Sequence, residues 1–180
     1  MATWNVDTAH SGVGFSVKHM MFTTVRGSFE EFDATIEFDP SNPADAKVNA
    51  TIQAASVDTG APDRDNHLRS ADFFDVEKYP TLTFSSNRVE PKSDTEATVY
   101  GDLTIHGVTK EVPLNVTFLG EGVNPWGQTV GGFAASTSIN REEFGLTWNQ
   151  ALETGGVLVS KDIKIELEIQ AAKVAEGEAV

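Results

Sequence analysis

The chain reads as an all-β protein, an antiparallel barrel carrying a short helical lid, and three observations predict it. Short apolar segments alternate with period two along most of the chain, which puts every second side chain on one face of a sheet. Their connections are hairpin-sized and rich in Gly, Pro, Asn and Asp. Only the stretch from Arg64 to Pro80 resists the pattern, crowding charges, His67 and the adjacent pair Phe73 and Phe74 between two prolines.

Residues 3–8 are expected to make a first strand. From Gly12 to His19 the alternation is clean, with Val13, Phe15, Val17 and His19 on one face. A longer strand follows between Val25 and Phe38, but Phe29 and Phe32 are three apart, a slip that predicts a β-bulge near Glu30 and Glu31. After the turn at Asp39-Pro-Ser-Asn-Pro, Lys47 to Ala54 alternates again. A short helix starting near Pro62 would carry Leu68 and the two Phe residues over an apolar opening. Thr81 to Val89, Ala97 to His106, Glu111 to Leu119 and Thr129 to Ile139 repeat the strand pattern, joined by turns such as His106-Gly107 and Gly122 to Gly127. Asn140 to Gly145 suits one helical turn, and Ser160 to Ala171 closes the series with Ile163, Ile165, Leu167 and Ile169 in register.

A closed barrel is preferred to a sandwich because the strands are long and spotted with Gly14, Gly27, Gly101 and Gly132, where coiling or close backbone approach is tolerated. A barrel of about eight strands is just wide enough to be filled by side chains or to hold one small ligand.

At 180 residues, 39% hydrophobic and 22% charged, the sequence suits one domain, residues 1–173, followed by a flexible acidic tail over 174–180. The net charge of −14 argues against nucleic acid or an anionic membrane surface as partner. Without cysteine there is no disulfide scaffold, thiolate metal site or cysteine nucleophile. The first residues lack a basic n-region and apolar h-region, and no run approaches the ~20 residues of a membrane span, so the expectation is a cytoplasmic protein that does not insert into a membrane.

Catalytic spacing is missing: there is no Gly-x-Ser-x-Gly, no His-Glu-x-x-His and no P-loop, and Gly12-Val-Gly14 lacks the third glycine of a dinucleotide fingerprint. Asp63-x-Asp65-x-His67 opens like a calcium loop, but Leu68 and Phe74 stand where that loop needs Gly and Glu. Among the histidines, His10 and His106 are read as hydrogen-bonded structural groups. His19 differs, because it ends an apolar face and needs a polar partner, such as Asp65, His67 or a ligand head group.

These residues form an ordered series: Asp7-x-x-His10-Ser11, Phe15, His19, Gly27-x-Phe29, Arg64-Asp65-x-His67-Leu68-x-x-x-Asp72-Phe73-Phe74, Tyr79-Pro80, Gly101-x-Leu103-Thr104-x-x-Gly107-Val108-Thr109 and Arg141-x-x-Phe144-Gly145. The series resembles the YceI-like family of polyisoprenoid-binding proteins. That resemblance implies a bacterial, lipocalin-like, extended eight-stranded antiparallel barrel that is not an enzyme. Its lumen would take a long isoprenoid, quinone, fatty chain or similar amphiphile, with no other cofactor and no metal. Ala34 departs from the pattern, standing where a glycine is expected in the bulged strand.

On this reading the inward apolar residues are Phe15, Val17, Phe29, Phe32, Ile52, Phe84, Leu103 and Phe133. Leu68, Phe73 and Phe74 would come from the lid and Trp126 and Trp148 from late loops. His19, Arg64, Asp65 and His67 are the polar candidates for a head group. Two other classes stay open: an enzyme working on an apolar substrate through His19, His67 and Asp65, and a protein-interaction module, with a homodimer through an edge strand also possible.

Overall fold

A computed structural model describes residues 2–149 and 158–174. Its elements in chain order are β1 (Ala2–Val6), β2 (Gly12–His19), β3 (Thr23–Phe29), β4 (Phe32–Phe38), β5 (Lys47–Gln53), β6 (Val57–Asp58), α1 (Pro62–Arg69), β7 (Thr81–Pro91), β8 (Glu96–Ile105), β9 (Val108–Val123), β10 (Thr129–Asn140) and β11 (Asp162–Lys173). Neighbouring strands pair antiparallel, and β1 joins β11 to close the ring.

The strands fill eight positions because three positions are each broken once. β1 and β2 share one, since Val6 pairs with Ala171 and Val13 with Leu167 of the same β11. β4 and β3 share the next, beside β1 and β2 respectively, and β5 and β6 share the third. The breaks stand side by side: Val13 pairs with Phe29, and Phe29 with Val57. Backbone bonds bridge them, from Glu30 N to Ser56 O at 3.1 Å and from Gln53 N to Glu31 O at 2.9 Å. The spacing of Phe29 and Phe32 predicts a bulge within one strand at the middle break, where the structure instead ends β3 at Phe29 and starts β4 at Phe32. The first is a short turn over Thr8–His10, which Asp7 caps by accepting from Ala9 N at 3.0 Å.

Strand bounds differ most from expectation at β9, which runs on to Val123 through residues expected to turn. Gly120, at φ 118°, follows a bulge at Leu119, so pairing resumes as Gly132 with Gly120 after Phe133 with Phe118. At the other end of the chain, Val174 N still donates to Thr3 O at 2.8 Å, so sheet contacts run one residue past the expected boundary. Residues 175–180, the rest of the expected tail, lie outside the described residues.

Alternation directs the faces. Val48, Ala50 and Ile52 of β5 and Ile163, Ile165 and Leu167 of β11 face the interior, while Lys47, Asn49, Lys164 and Glu166 face solvent. At one end the interior closes around Trp4, which is 0% exposed. Its ring meets Phe133 edge-on at 6.3 Å, Phe38 meets both Phe118 and Phe133 edge-on, and Phe118 lies tilted on Phe133, with centroids 5.2–5.6 Å apart. Gly131 makes this possible, since a Cβ there would lie 2.9 Å from the Trp4 ring.

At the other end β6 has no strand on its far side, and the chain leaves the sheet into α1 before returning as β7. Pro62 starts the helix at a position where its missing N–H costs nothing. Arg69 then fastens the helix over the open edge, donating to Ala55 O at 2.8 Å and Val57 O at 3.1 Å. An edge carbonyl that could template aggregation is thereby used.

Candidate ligand-binding site

Under α1 the barrel encloses an apolar chamber of about 360 Å³. It is lined by fourteen of the side chains expected from the sequence: Phe15, Val17, His19, Phe29, Phe32, Ile52, Arg64, His67, Leu68, Phe73, Phe74, Phe84, Leu103 and Trp148. A smaller chamber of about 120 Å³ lies toward the aromatic end. Ile36, Val48, Leu114, Leu167 and Ile169 line both, so they form a waist in one interior.

Three expected residues stand elsewhere. Phe133 lines the smaller chamber and belongs to the aromatic cluster. Trp126 sits in the turn between β9 and β10 and is 83% exposed, far from the lid. Asp65 is buried but turned away from the chamber, accepting from the Thr59 amide at 2.9 Å and from the Thr59 hydroxyl. Arg64 donates to the same hydroxyl at 2.7 Å and to Thr59 O at 2.8 Å. Helix α1 is thus fastened to the chain just before it by both residues, and a carboxylate in the first turn of the helix also suits its dipole.

The lid interior is aromatic. The His67 ring meets Phe73 at 5.1 Å and Trp148 at 4.7 Å, both edge-on, and Phe74 reaches Phe29 at 5.6 Å. His67 Nε2 bonds Asp72 at 2.9 Å. The partner of His67 is therefore Asp72 and not Asp65, so the acid and base expected to act together are separated. His10 pairs with Asp7 at 2.7 Å outside the barrel, and His106 packs on Tyr79 at 4.6 Å beside a turn in which His106 and Gly107 have φ of 56° and 74°.

Arg141 is a site residue that sequence reasoning placed in a motif but not in the cavity. A short helical turn, Arg141–Phe144, is capped by Asn140, which accepts from Glu142 N at 3.0 Å, and ends at Gly145 with φ 80°. This turn points the guanidinium inward, where it is 2% exposed and lines the chamber. Its N–H groups donate to the carbonyls of Leu146 (2.6 Å), Ser160 (2.9 Å), Trp148 (3.0 Å) and Val159 (3.2 Å). Among the described residues no carboxylate forms an ion pair with it. Burial lowers its pKa from the ordinary arginine value, with the Glu142 charge opposing. Sequence alternation could also have supplied Val13, Leu82, Ile105, Val112, Ile139 and Ile163, which line the same wall.

The rest of the chamber wall is mainly hydrocarbon: its other polar lining residues among those described are His19, Arg64, His67, Thr59, Thr137 and Lys18, whose amine bonds Thr24 on the outer face. Such a space retains an apolar chain by burial and leaves polar contacts to the lid end. No helix among the described residues is long and apolar enough to cross a membrane.

A lipocalin-like barrel with a lidded apolar chamber is the class that fold and site define. Within that class the YceI-like domain family matches residues 4–171. The chain belongs to the YceI-like family. A UPF0312 protein of Staphylococcus aureus is 44% identical over 167 residues, covering 92% of this chain and 95% of the relative, and one of Staphylococcus epidermidis matches to the same extent. Among solved structures, BcnA of Burkholderia cenocepacia superposes with a TM-score of 0.81 at 28% identity, covering 92% of this chain and 98% of its own. A Campylobacter jejuni YCEI protein gives 0.76 at 32% identity, covering 88% and 90%. A polyisoprenoid binding domain from Saccharophagus degradans shares the fold, with a TM-score of 0.68 at 14% identity over 95% and 98%.

Proposed function

We propose that this protein is a non-catalytic carrier or buffer for a long-chain isoprenoid, quinone or similar amphiphilic lipid held in the barrel. The observation that carries the reading is the lidded chamber of about 360 Å³, walled mainly by hydrocarbon and parted from a second chamber by a shared waist. A barrel of the same fold in Saccharophagus degradans is a polyisoprenoid binding domain, which supports the ligand class.

Burial sets the affinity. At ~0.3 kcal/mol per heavy atom, a chain of ~30 atoms gains about 9 kcal/mol, near or below micromolar. One neutral hydrogen bond adds only ~0.5 to 1.5 kcal/mol, so polar groups at the lid select the head while the wall retains the tail. Native mass spectrometry of freshly purified protein, followed by extraction of what is released, tests the reading. The expected result is a stoichiometric isoprenoid, quinone or fatty-chain mass. Absence of extra mass together with no uptake of such lipids when they are offered would overturn it. Leu68→Ala or Phe84→Ala should weaken retention more than Arg64→Ala, and equal retention in all three would count against a pocket dominated by the tail.

A further inference from the structure

A lipid carrier must meet the surface that holds its cargo, and the hairpin between β2 and β3 is built to do so. This step rests on the carrier reading for its purpose alone. Met20, Met21 and Phe22 form the tip and are 42%, 58% and 81% exposed. Three consecutive large apolar side chains in water are an unusual surface. Met20 and Met21 also take left-handed φ of 52° and 67°, conformations that glycine or asparagine adopts more readily. The backbone holds them there: Met20 N donates to Leu158 O at 2.8 Å and Phe22 N to His19 O at 3.1 Å.

The tip adjoins the chamber, for Val17 and Val25 pair directly below it and both line the cavity, as do His19 and Leu158. Charge then selects the partner. Residues 12–29 hold Lys18 and Arg26 and none of the chain's 27 acidic residues. Both cations are exposed on the outer face of the hairpin, where the Lys18 amine donates to the Thr24 hydroxyl at 2.7 Å, and they share that face with Lys164, Asp162 and Glu166 of β11, so three cations stand against two carboxylates there. The net charge of −14 repels an anionic surface from the molecule as a whole. Screening over about 8–10 Å leaves the local sign to decide at contact. Size argues against a protein partner, because three side chains fall short of the roughly 800 Å² per partner in a stable interface, whereas a bilayer interface accepts a small apolar wedge flanked by cations.

We propose that the β2–β3 hairpin is a membrane-docking element that seats the chamber mouth on a bilayer surface containing anionic lipid. Flotation of the full chain with vesicles of phosphatidylcholine and phosphatidylglycerol in equal parts tests it, beside vesicles of phosphatidylcholine alone. The expected result is co-flotation that is stronger with the anionic vesicles. Phe22→Asp should reduce the bound fraction about tenfold and Lys18→Glu about fivefold. Circular dichroism checks that each variant is folded, and Phe22→Ser repeats the test should Phe22→Asp prove unstable. No flotation with either vesicle, or flotation untouched by these substitutions, would overturn the proposal. So would a dimer in light scattering that Phe22→Asp dissociates, since the tip would then be covered by a second copy. Native mass spectrometry of the same samples separates the two readings: loaded protein that does not float overturns docking alone, whereas protein that floats but takes up no lipid leaves docking standing and overturns carriage.

Discussion

Trp4 and Leu68 stand at opposite ends of one ring of strands, and their surroundings differ in kind. Trp4 touches protein on every side, closed in by Phe133, Ile36 and Ala171. Leu68 hangs from the lid over a chamber of about 360 Å³. The same alternation of apolar residues produced both, so hydrophobic pattern alone does not say whether a barrel is filled. What differs is the size of the inward side chains and the continuity of the wall. Aromatic rings fill one end, while at the other the three broken strand positions and the helix between β6 and β7 hold the wall apart.

The largest expected effect tests that contrast directly. Trp4→Ala should cost about 3–5 kcal/mol of stability in urea unfolding, and Leu68→Ala about 1–2 kcal/mol, because Leu68 loses contacts on one side only. Equal costs would break the comparison. Opening the waist is next: Ile36→Ala should cost about 2–4 kcal/mol and lengthen the longest fatty chain retained in native mass spectrometry, by joining the two chambers. A length limit identical to that of the parent protein would show the waist to be no barrier. Smaller in stability is Gly101→Ala. A Cβ there would fall 2.3 Å from the Phe84 ring and 2.8 Å from Ser85 O, so the ring must swing into the chamber, at about 1–3 kcal/mol and with reduced uptake. Adding Phe84→Ala to that variant should bring uptake back to the level of Phe84→Ala alone, and failure to do so would place the clash in the backbone at Ser85 O.

The smallest effect lies at the break between β1 and β2. The hydrogen bond from His10 holds the Asp7 carboxyl below its ordinary 3.8, aided by the Ala9 amide and opposed by desolvation. A depressed folded pKa stabilises above the unfolded value, and that contribution disappears as pH falls through the folded value. Melting temperatures of Asp7→Asn and the parent should therefore differ at neutral pH and converge as the pH falls below about 4. A difference that persists in acid would assign the effect to packing.

Much of this was legible beforehand. Val13, Phe15, Val17 and His19 share a face in the sequence and line the chamber together, and Pro62 opens the helix where expected. Strand β6 is two residues long, too short for any periodicity to register. Gly122 suggests the start of a turn, yet it pairs with Val130 as ordinary strand, and the positive φ lies at Gly120 in the bulge and Gly127 in the turn itself. Asp65 and Trp126 show the other limit: residue type reveals that a group can bind a ligand, but which way it faces depends on partners such as Thr59 that are ordinary in sequence.

Arg141 draws a practical consequence from the same limit. Its four described partners are main-chain oxygens of Leu146, Trp148, Val159 and Ser160, and none is a side chain. A clamp that grips only peptide groups is indifferent to the letters written between its two jaws. Substitutions at Leu146 or Val159 should therefore reshape the chamber wall without releasing the clamp, because the carbonyl that Arg141 holds is common to every residue.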